Sequence, residues 1–292
     1  MIPQLIANSL IAAAAYSVMG VGFAMVYWSA RFFHFAHAVT YTISAYIIFG
    51  LLGVFGMSVL VAAAVAVAGA VAFGGLVEIV VYRQLRRRKT SPLGLLLASL
   101  GIMVAFQNVI SLVFGDDVKS IRGSLVAPGL DIGGARVTLI QIGICAAAVA
   151  ILTATWMLIH HTEAGMRFRA VTNDPELAVI RGVDSDRVLL WTLMLASGIA
   201  GIGAILGALD SDIQPNMGLR IFLMSVTATI VGGEGRVQGV ALGAVLVGLA
   251  QNLGVLKLGT HWQDAIVFAL LILFLLIKPQ GFLGRRQRKV SV

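Results

Sequence analysis

Ionised side chains are scarce in this sequence: it carries 13 Asp and Glu and 21 Lys and Arg in 292 residues, so that only 12% of it is charged. None of these falls deep within a long apolar run; Glu78 lies near one end of a run, and Asp210, Asp212 and Asp264 lie near others. A proton- or sodium-coupled carrier commonly places an ionisable group or broken-helix ion site at the membrane midplane, and none is evident. An intramembrane enzyme needs a constellation such as paired aspartates or His-Glu-x-x-His, which is missing too. There is no P-loop, so the chain is expected to have no ATPase site of its own, no enzyme activity and no cofactor. A single cysteine, Cys145, excludes an internal disulfide and a thiolate metal cluster; packing is its expected role.

What fills the chain is apolar sequence. Hydrophobic residues make up 59% of it, mean hydropathy is +0.96, and an ordinary soluble domain is about 25% charged. Lipid gives the backbone no hydrogen-bond partner, so a membrane chain crosses as helices or as a closed barrel, and these continuous runs lack a barrel's alternation. The expectation is an all-α polytopic membrane protein with 8–9 transmembrane helices forming a single domain over 1–292. Spans are placed at 4–28, 33–55, 57–81, 92–114, 137–159, 188–209, 221–233, 238–256 and 263–278. The seventh is short against the roughly 20 residues of a full crossing. The first run has no positive leading region and no small-x-small cleavage site, and reads as a retained span.

The net charge of +8 does not point to nucleic acid, because the basic residues sit beside spans instead of forming one surface. Arg83, Arg86, Arg87, Arg88 and Lys89 follow the third span, and Arg167, Arg169, Arg181 and Arg187 the fifth. Lys278, Arg285, Arg286, Arg288 and Lys289 close the chain. The positive-inside rule puts all three groups in the cytoplasm. Nine crossings then place the N-terminus outside and the C-terminus inside, with Lys119, Arg122, Arg136, Arg220 and Lys257 as outer basic residues. A re-entrant hairpin at 221–233 would send the basic tail outside, so that segment is expected to cross.

Gly198, Gly201, Gly203 and Gly207, then Gly239, Gly243 and Gly248, are read as close helix packing, since small residues let membrane helices approach. Tyr27, Trp28, Trp191 and Trp262 fall where interfacial anchors belong. Polar residues at membrane depth are costly and so mark a candidate solute route: Gln107 and Asn108, Ser225, Thr227 and Thr229, and Gln251 with Asn252. His34 and His37 are three apart and share a helical face, which suits a pathway or gate, a metal, or a structural role; no carboxylate or third ligand is near, and no metal site is expected. His160, His161 and Glu163 sit at a span end and read as interfacial.

Two loops are large. The outer one, 115–136, has the Gly, Pro, Asp and Ser content of turns or a short surface element. The cytoplasmic one, 160–187, contains Ala164, Met166, Phe168, Ala170, Leu177, Ala178 and Ile180 among charges at helical spacing. Asn173 or Asp174 is placed to cap a new helix whose first turn holds Pro175. Two short helices joined by a turn are expected, and their apolar residues favour a docking element for a cytoplasmic protein over a self-packed loop.

These residues also carry a resemblance. Gly165-Met166-Arg167-Phe168-Arg169-Ala170, then Asp174, Ala178 and Gly182-Val183, resembles the cytoplasmic loop of branched-chain amino acid ABC transporter permeases of the LivH type. Glu78 to Arg86, Gln214-Pro215-Asn216-Met217-Gly218, Val231 to Gly239 and Lys278 to Gly284 follow in that family's order. The family usually has Asn-Phe-Ala-His-Gly after the first span, where this chain has His34-Phe35-Ala36-His37-Ala38. The resemblance implies a multi-pass permease of a bacterial inner membrane, importing branched-chain amino acids; permeases for urea or short-chain amides look nearly the same. It also implies a second LivM-type permease subunit, two cytoplasmic ATPases holding the ATP and Mg, and a periplasmic solute-binding protein. Glu163, Gly165, Arg167, Arg169, Ala170, Asp174, Ala178 and Gly182 would then form the ATPase-coupling loop. A stand-alone channel or secondary carrier is the reading from another class.

Overall fold

The computed structural model describes residues 2–121, 129–233, 235–278 and 280–284. Arg122, Glu234, Pro279 and the basic tail Arg285, Arg286, Arg288 and Lys289, used in the charge and motif readings above, lie outside the described residues.

The long helices are α1 (Ile2–Ala30), α2 (Ala36–Gly53) and α3 (Val59–Val77), the last continuing through a π-helical turn (Glu78–Tyr82) into α4 (Arg83–Arg87). Then come α5 (Pro92–Phe114), a hairpin of β1 (Leu130–Ile132) and β2 (Ala135–Val137), and α6 (Leu139–His161). A helical pair, α7 (Glu163–Asn173) and α8 (Pro175–Ile180), precedes α9 (Ser185–Asp210), α10 (Met217–Gly232), α11 (Val237–Leu258) and α12 (Gln263–Ile277). Among the described residues eight helical runs are long and apolar enough to span a membrane, Val59–Arg87 and Thr260–Ile277 each counting as one; α10 is shorter.

Local chemistry sets the helix starts. Ser91 accepts a hydrogen bond from the Gly94 amide with Pro92 in the first turn of α5, and Thr138 forms a reciprocal capping box with Gln141 at α6; each satisfies amides that a helix start leaves open. The expected surface element in the outer loop is the β hairpin. Its two-residue turn, Gly133 and Gly134, has φ of 60° and 83°, the positive values a tight hairpin needs. It is fastened to α1, where the Gln4 side chain pairs with both backbone groups of Arg136 at 2.8 and 3.1 Å.

α1 is the axis of the bundle, with every residue from Ser17 to Val26 buried. Its packing fixes the topology. Gly22 lies against Ala196 and Gly203 against Val18, so α9 runs antiparallel to α1. Gly20 lies by Val240 and Gly248 by Ser9, so α11 is antiparallel as well. Two parallel helices joined in sequence require the chain between them to cross the bundle; hence 211–236 is a crossing and not a re-entrant hairpin. The crossing is shared between a non-helical stretch, 211–216, and the 16 residues of α10, about 24 Å of helix against the roughly 30 Å of a bilayer's hydrocarbon. Glycine allows the return: a Cβ on Gly243 would collide with the carbonyl of Ala228, so α10 and α11 touch backbone to backbone.

Two ends result. The hairpin lies where α1 begins, and the helical pair where α1 ends, since Phe168 and Val171 pack with Met25 and Trp28. The chain's last described segment is at the helical-pair end, because the Phe282 amide bonds the Val231 carbonyl and that of Leu283 bonds Gly232. The first and last described segments of the chain therefore lie at opposite ends of the bundle.

Some boundaries and roles differ from the sequence expectation. The second helix starts at Ala36 and not at 33, leaving Arg31 to Phe35 non-helical between α1 and α2. The third runs on to Arg87, beyond 81, because its charged last turns finish the helix outside the apolar stretch. Trp28 is not an exposed interfacial anchor: it is 4% exposed within the cluster under the helical pair. Trp262 is 56% exposed, as an anchor would be.

Candidate functional site

At the helical-pair end the sequence reading of 160–187 takes structural form. Thr162 caps α7 by accepting from the Gly165 amide at 3.0 Å, and Asp174 caps α8 by accepting from Glu176 and Leu177, each at 3.0 Å. Glycine at 165 lets α7 fold back on α6, where a Cβ would strike the carbonyls of Leu158 and Ile159. The apolar residues then divide. Phe168, Val171 and Ala178 face inward, with Phe168 against Trp191 at a ring separation of 6.2 Å, while Arg31 donates to the Thr172 carbonyl at 2.7 Å. Met166, Leu177, Val179 and Ile180 stand exposed. Glu163 and Arg167 pair at 3.7 Å on the same outer surface, and Arg169 is exposed with them, Ala170 being half-buried. Gly182 has φ of 81° and turns the chain after α8.

Beside the pair, an ion cluster not legible from sequence ties α4 to α9. Glu78, 1% exposed, accepts from both terminal nitrogens of Arg86, which also reaches Asp186 at 3.3 Å. Arg83 meets Asp186 at 3.0 Å. The charges were visible in sequence; the pairing of residues a hundred positions apart was not.

His34 and His37 are both buried, with ring centroids 5.9 Å apart. The Nδ1 of His34 lies 2.9 Å from the Tyr82 hydroxyl, delivered by the π-helical turn. Neither ring nitrogen of His37 makes a well-formed hydrogen bond, and its ring packs on Gly22 of α1 and at 6.5 Å from Phe222. Ser99 bridges the non-helical stretch, donating to the Phe33 carbonyl at 3.1 Å and accepting from the Phe35 amide at 3.0 Å. Among the described residues no group of three or more His, Cys, Asp or Glu is placed to hold a metal.

The other polar residues flagged from sequence do not form one lining. Ser225, Thr227 and Thr229 are buried on α10 and each donates to a carbonyl one turn back, at 2.7, 3.0 and 2.8 Å. Gln107 is half-buried and Asn108 exposed on the outer surface of α5, the latter donating to Val104 at 2.8 Å. Gln251 and Asn252, in contrast, line a cavity of about 560 Å³ at the hairpin end.

That cavity lies where α9 ends and α12 begins. Tyr16 of α1, about halfway along that helix, lines it and donates to Gln251 at 2.6 Å. Its apolar side is Met217, Ile221 and Met224 of α10; Asp212, Gln214 and Asn216 of the non-helical stretch complete it with Arg220. Arg220 pairs with Asp264 of α12 at 3.2 Å. Sequence reading missed Tyr16, Tyr41, Arg220 and Gln263 as lining residues. For Arg220 and Gln263 the available signal was their position near span ends; Tyr16, halfway along its span, and Tyr41 carried none.

A helical bundle with an open polar cavity at one end and an amphipathic helical pair at the other is the architecture of a membrane permease. The family described as "Branched-chain amino acid transport system / permease component" matches residues 5–275, and the chain belongs to it. It is 30% identical over 291 residues to the high-affinity branched-chain amino acid transport system permease protein LivH of Escherichia coli K12, covering 95% of this chain and 94% of that one. It is 29% identical to the permease protein BraD of Pseudomonas aeruginosa, over 97% and 95% of the two chains. A probable LivH of Methanocaldococcus jannaschii is 23% identical over 94% and 90%. No solved structure matches the chain.

Proposed function

We propose that this chain is the LivH-type permease subunit of an ABC importer for branched-chain amino acids. The observation that carries the reading is the match to LivH from end to end, at 30% identity over 95% of this chain. The chain sits in the bacterial cytoplasmic membrane with the helical pair in the cytoplasm and the hairpin outside; the basic cluster at 83–89 and the arginines Arg167, Arg169, Arg181 and Arg187 support that orientation. It supplies no ATPase site. Two separate ATPases work on the helical pair, whose exposed Met166, Leu177, Val179 and Ile180 give a docking subunit an apolar purchase. Glu163, Arg167 and Arg169 form its polar rim. A second, LivM-type permease completes the membrane unit, and a periplasmic binding protein delivers the solute to the hairpin end.

Copurification in mild detergent tests the assembly, and ATP-driven leucine uptake into proteoliposomes tests the activity. Recovery of two P-loop ATPases and a second hydrophobic subunit, with uptake that needs ATP, is the expected result. A complex of this chain alone, or leucine uptake without ATP, would overturn the reading.

A further inference from the structure

We infer that the hairpin-end cavity is the first solute site of the permease, and that it takes one zwitterionic α-amino acid with an aliphatic side chain. This rests on the importer reading and assigns the site it lacks.

The cavity's chemistry is divided as such a solute is divided. Met217, Ile221 and Met224 line it at spacings of four and three, which puts them on one face of α10, an apolar strip for an aliphatic side chain. Arg220 stands on the same strip. Its pairing with Asp264 through one terminal nitrogen leaves other guanidinium N–H groups for a carboxylate. Asp212, on the non-helical stretch 211–216, also lines the cavity and offers an anion to an ammonium. Gln251 is only 5% exposed, and the Tyr16 hydroxyl fixes its amide by donating to its oxygen at 2.6 Å; the NH₂ of that amide remains as a donor. The volume, about 560 Å³, lies within the roughly 300–1,000 Å³ of small-molecule sites.

The same inventory argues against other solutes. An uncharged amide or urea would engage neither the spare N–H groups of Arg220 nor the Asp212 carboxylate as a charge partner, and would make no use of the apolar strip. The non-helical stretch 211–216 fits the role as well, because irregular backbone beside membrane helices is tolerated where it lines a cavity.

The test uses the complete transporter in proteoliposomes, with the binding protein saturated by leucine or, separately, by alanine, so that the rate reports passage through the permease. Arg220→Gln and Asp212→Asn are the charge variants, both at exposed positions, and Ile221→Phe narrows the apolar strip. The charge variants are expected to slow both solutes about tenfold, the loss that follows from a missing charge-assisted hydrogen bond. Ile221→Phe is expected to lower the leucine-to-alanine rate ratio about fivefold. Wild-type rates in the assembled charge variants, or an unchanged ratio in Ile221→Phe, would overturn the site while leaving the importer reading in place. Absence of ATP-driven leucine uptake by the wild-type transporter would instead overturn the importer reading itself.

Discussion

Arg86 holds Glu78 on its own helical run and Asp186 on α9 at once, with the Asp186 contact at 3.3 Å. One guanidinium thus fixes the end of the third membrane helix to the start of the helix that follows the helical pair. Glu78 is 1% exposed, and both of its carboxylate oxygens accept from Arg86.

Replacing Arg86 by Met is therefore expected to destabilise the protein by about 3–5 kcal/mol, the cost of leaving a buried charge unpaired. The double variant Glu78→Gln with Arg86→Met should recover most of the loss. Thermal unfolding in detergent measures both, and a single variant as stable as wild type would show that the pair contributes nothing.

Gly165 has no room for a side chain under the carbonyls of Leu158 and Ile159. Gly165→Leu should lift α7 from α6 at a cost of about 1–3 kcal/mol and strip ATP-driven uptake from a protein that still inserts. Fluorescence-detected size exclusion reports insertion and vesicle uptake reports coupling; normal uptake in the variant would remove the fold-back from the mechanism.

Ile180 is 79% exposed and carries no internal packing to lose. Ile180→Glu should change stability by no more than about 0.5 kcal/mol, yet release the ATPase subunits on purification. Retention of both ATPases at wild-type yield would place their docking surface elsewhere.

His37 is buried and neither ring nitrogen makes a well-formed hydrogen bond, so an apolar residue of similar size loses little there. His37→Leu is expected to melt at or above the wild-type temperature. If uptake falls all the same, the imidazole belongs to the route; if melting drops by several degrees, His37 is structural.

Membrane helices were legible because their signal is carried by long apolar runs that need no tertiary information. The helical pair was legible too, from Pro175 and its capping aspartate. Boundaries slipped where polarity and helicity part company: Arg83 to Arg87 stay helical after the apolar run ends, and Phe32, Phe33 and Phe35 are apolar without being helical. The polar list failed more instructively. Asn108 and Gln251 look alike in sequence as mid-span amides, but α5 packs on one side only and shows Asn108 outward, while α11 packs on α1 and turns Gln251 onto Tyr16. Which face of a helix meets a neighbour depends on packing between distant segments, and a single sequence does not contain it. Arg220 and Asp264 were likewise visible as charges near span ends; that they face each other is a property of how α10 and α12 pack.

The hydrogen bonds from Phe282 and Leu283 to the carbonyls of Val231 and Gly232 bear on how the protein is handled at the bench. Those carbonyls end α10, a crossing of only 16 residues, and the returning chain stoppers them. A truncation at Lys278 would uncork that helix, and a reporter fused there would fray the protein it was meant to track; a fusion partner belongs beyond Gly284, with the stopper left in place.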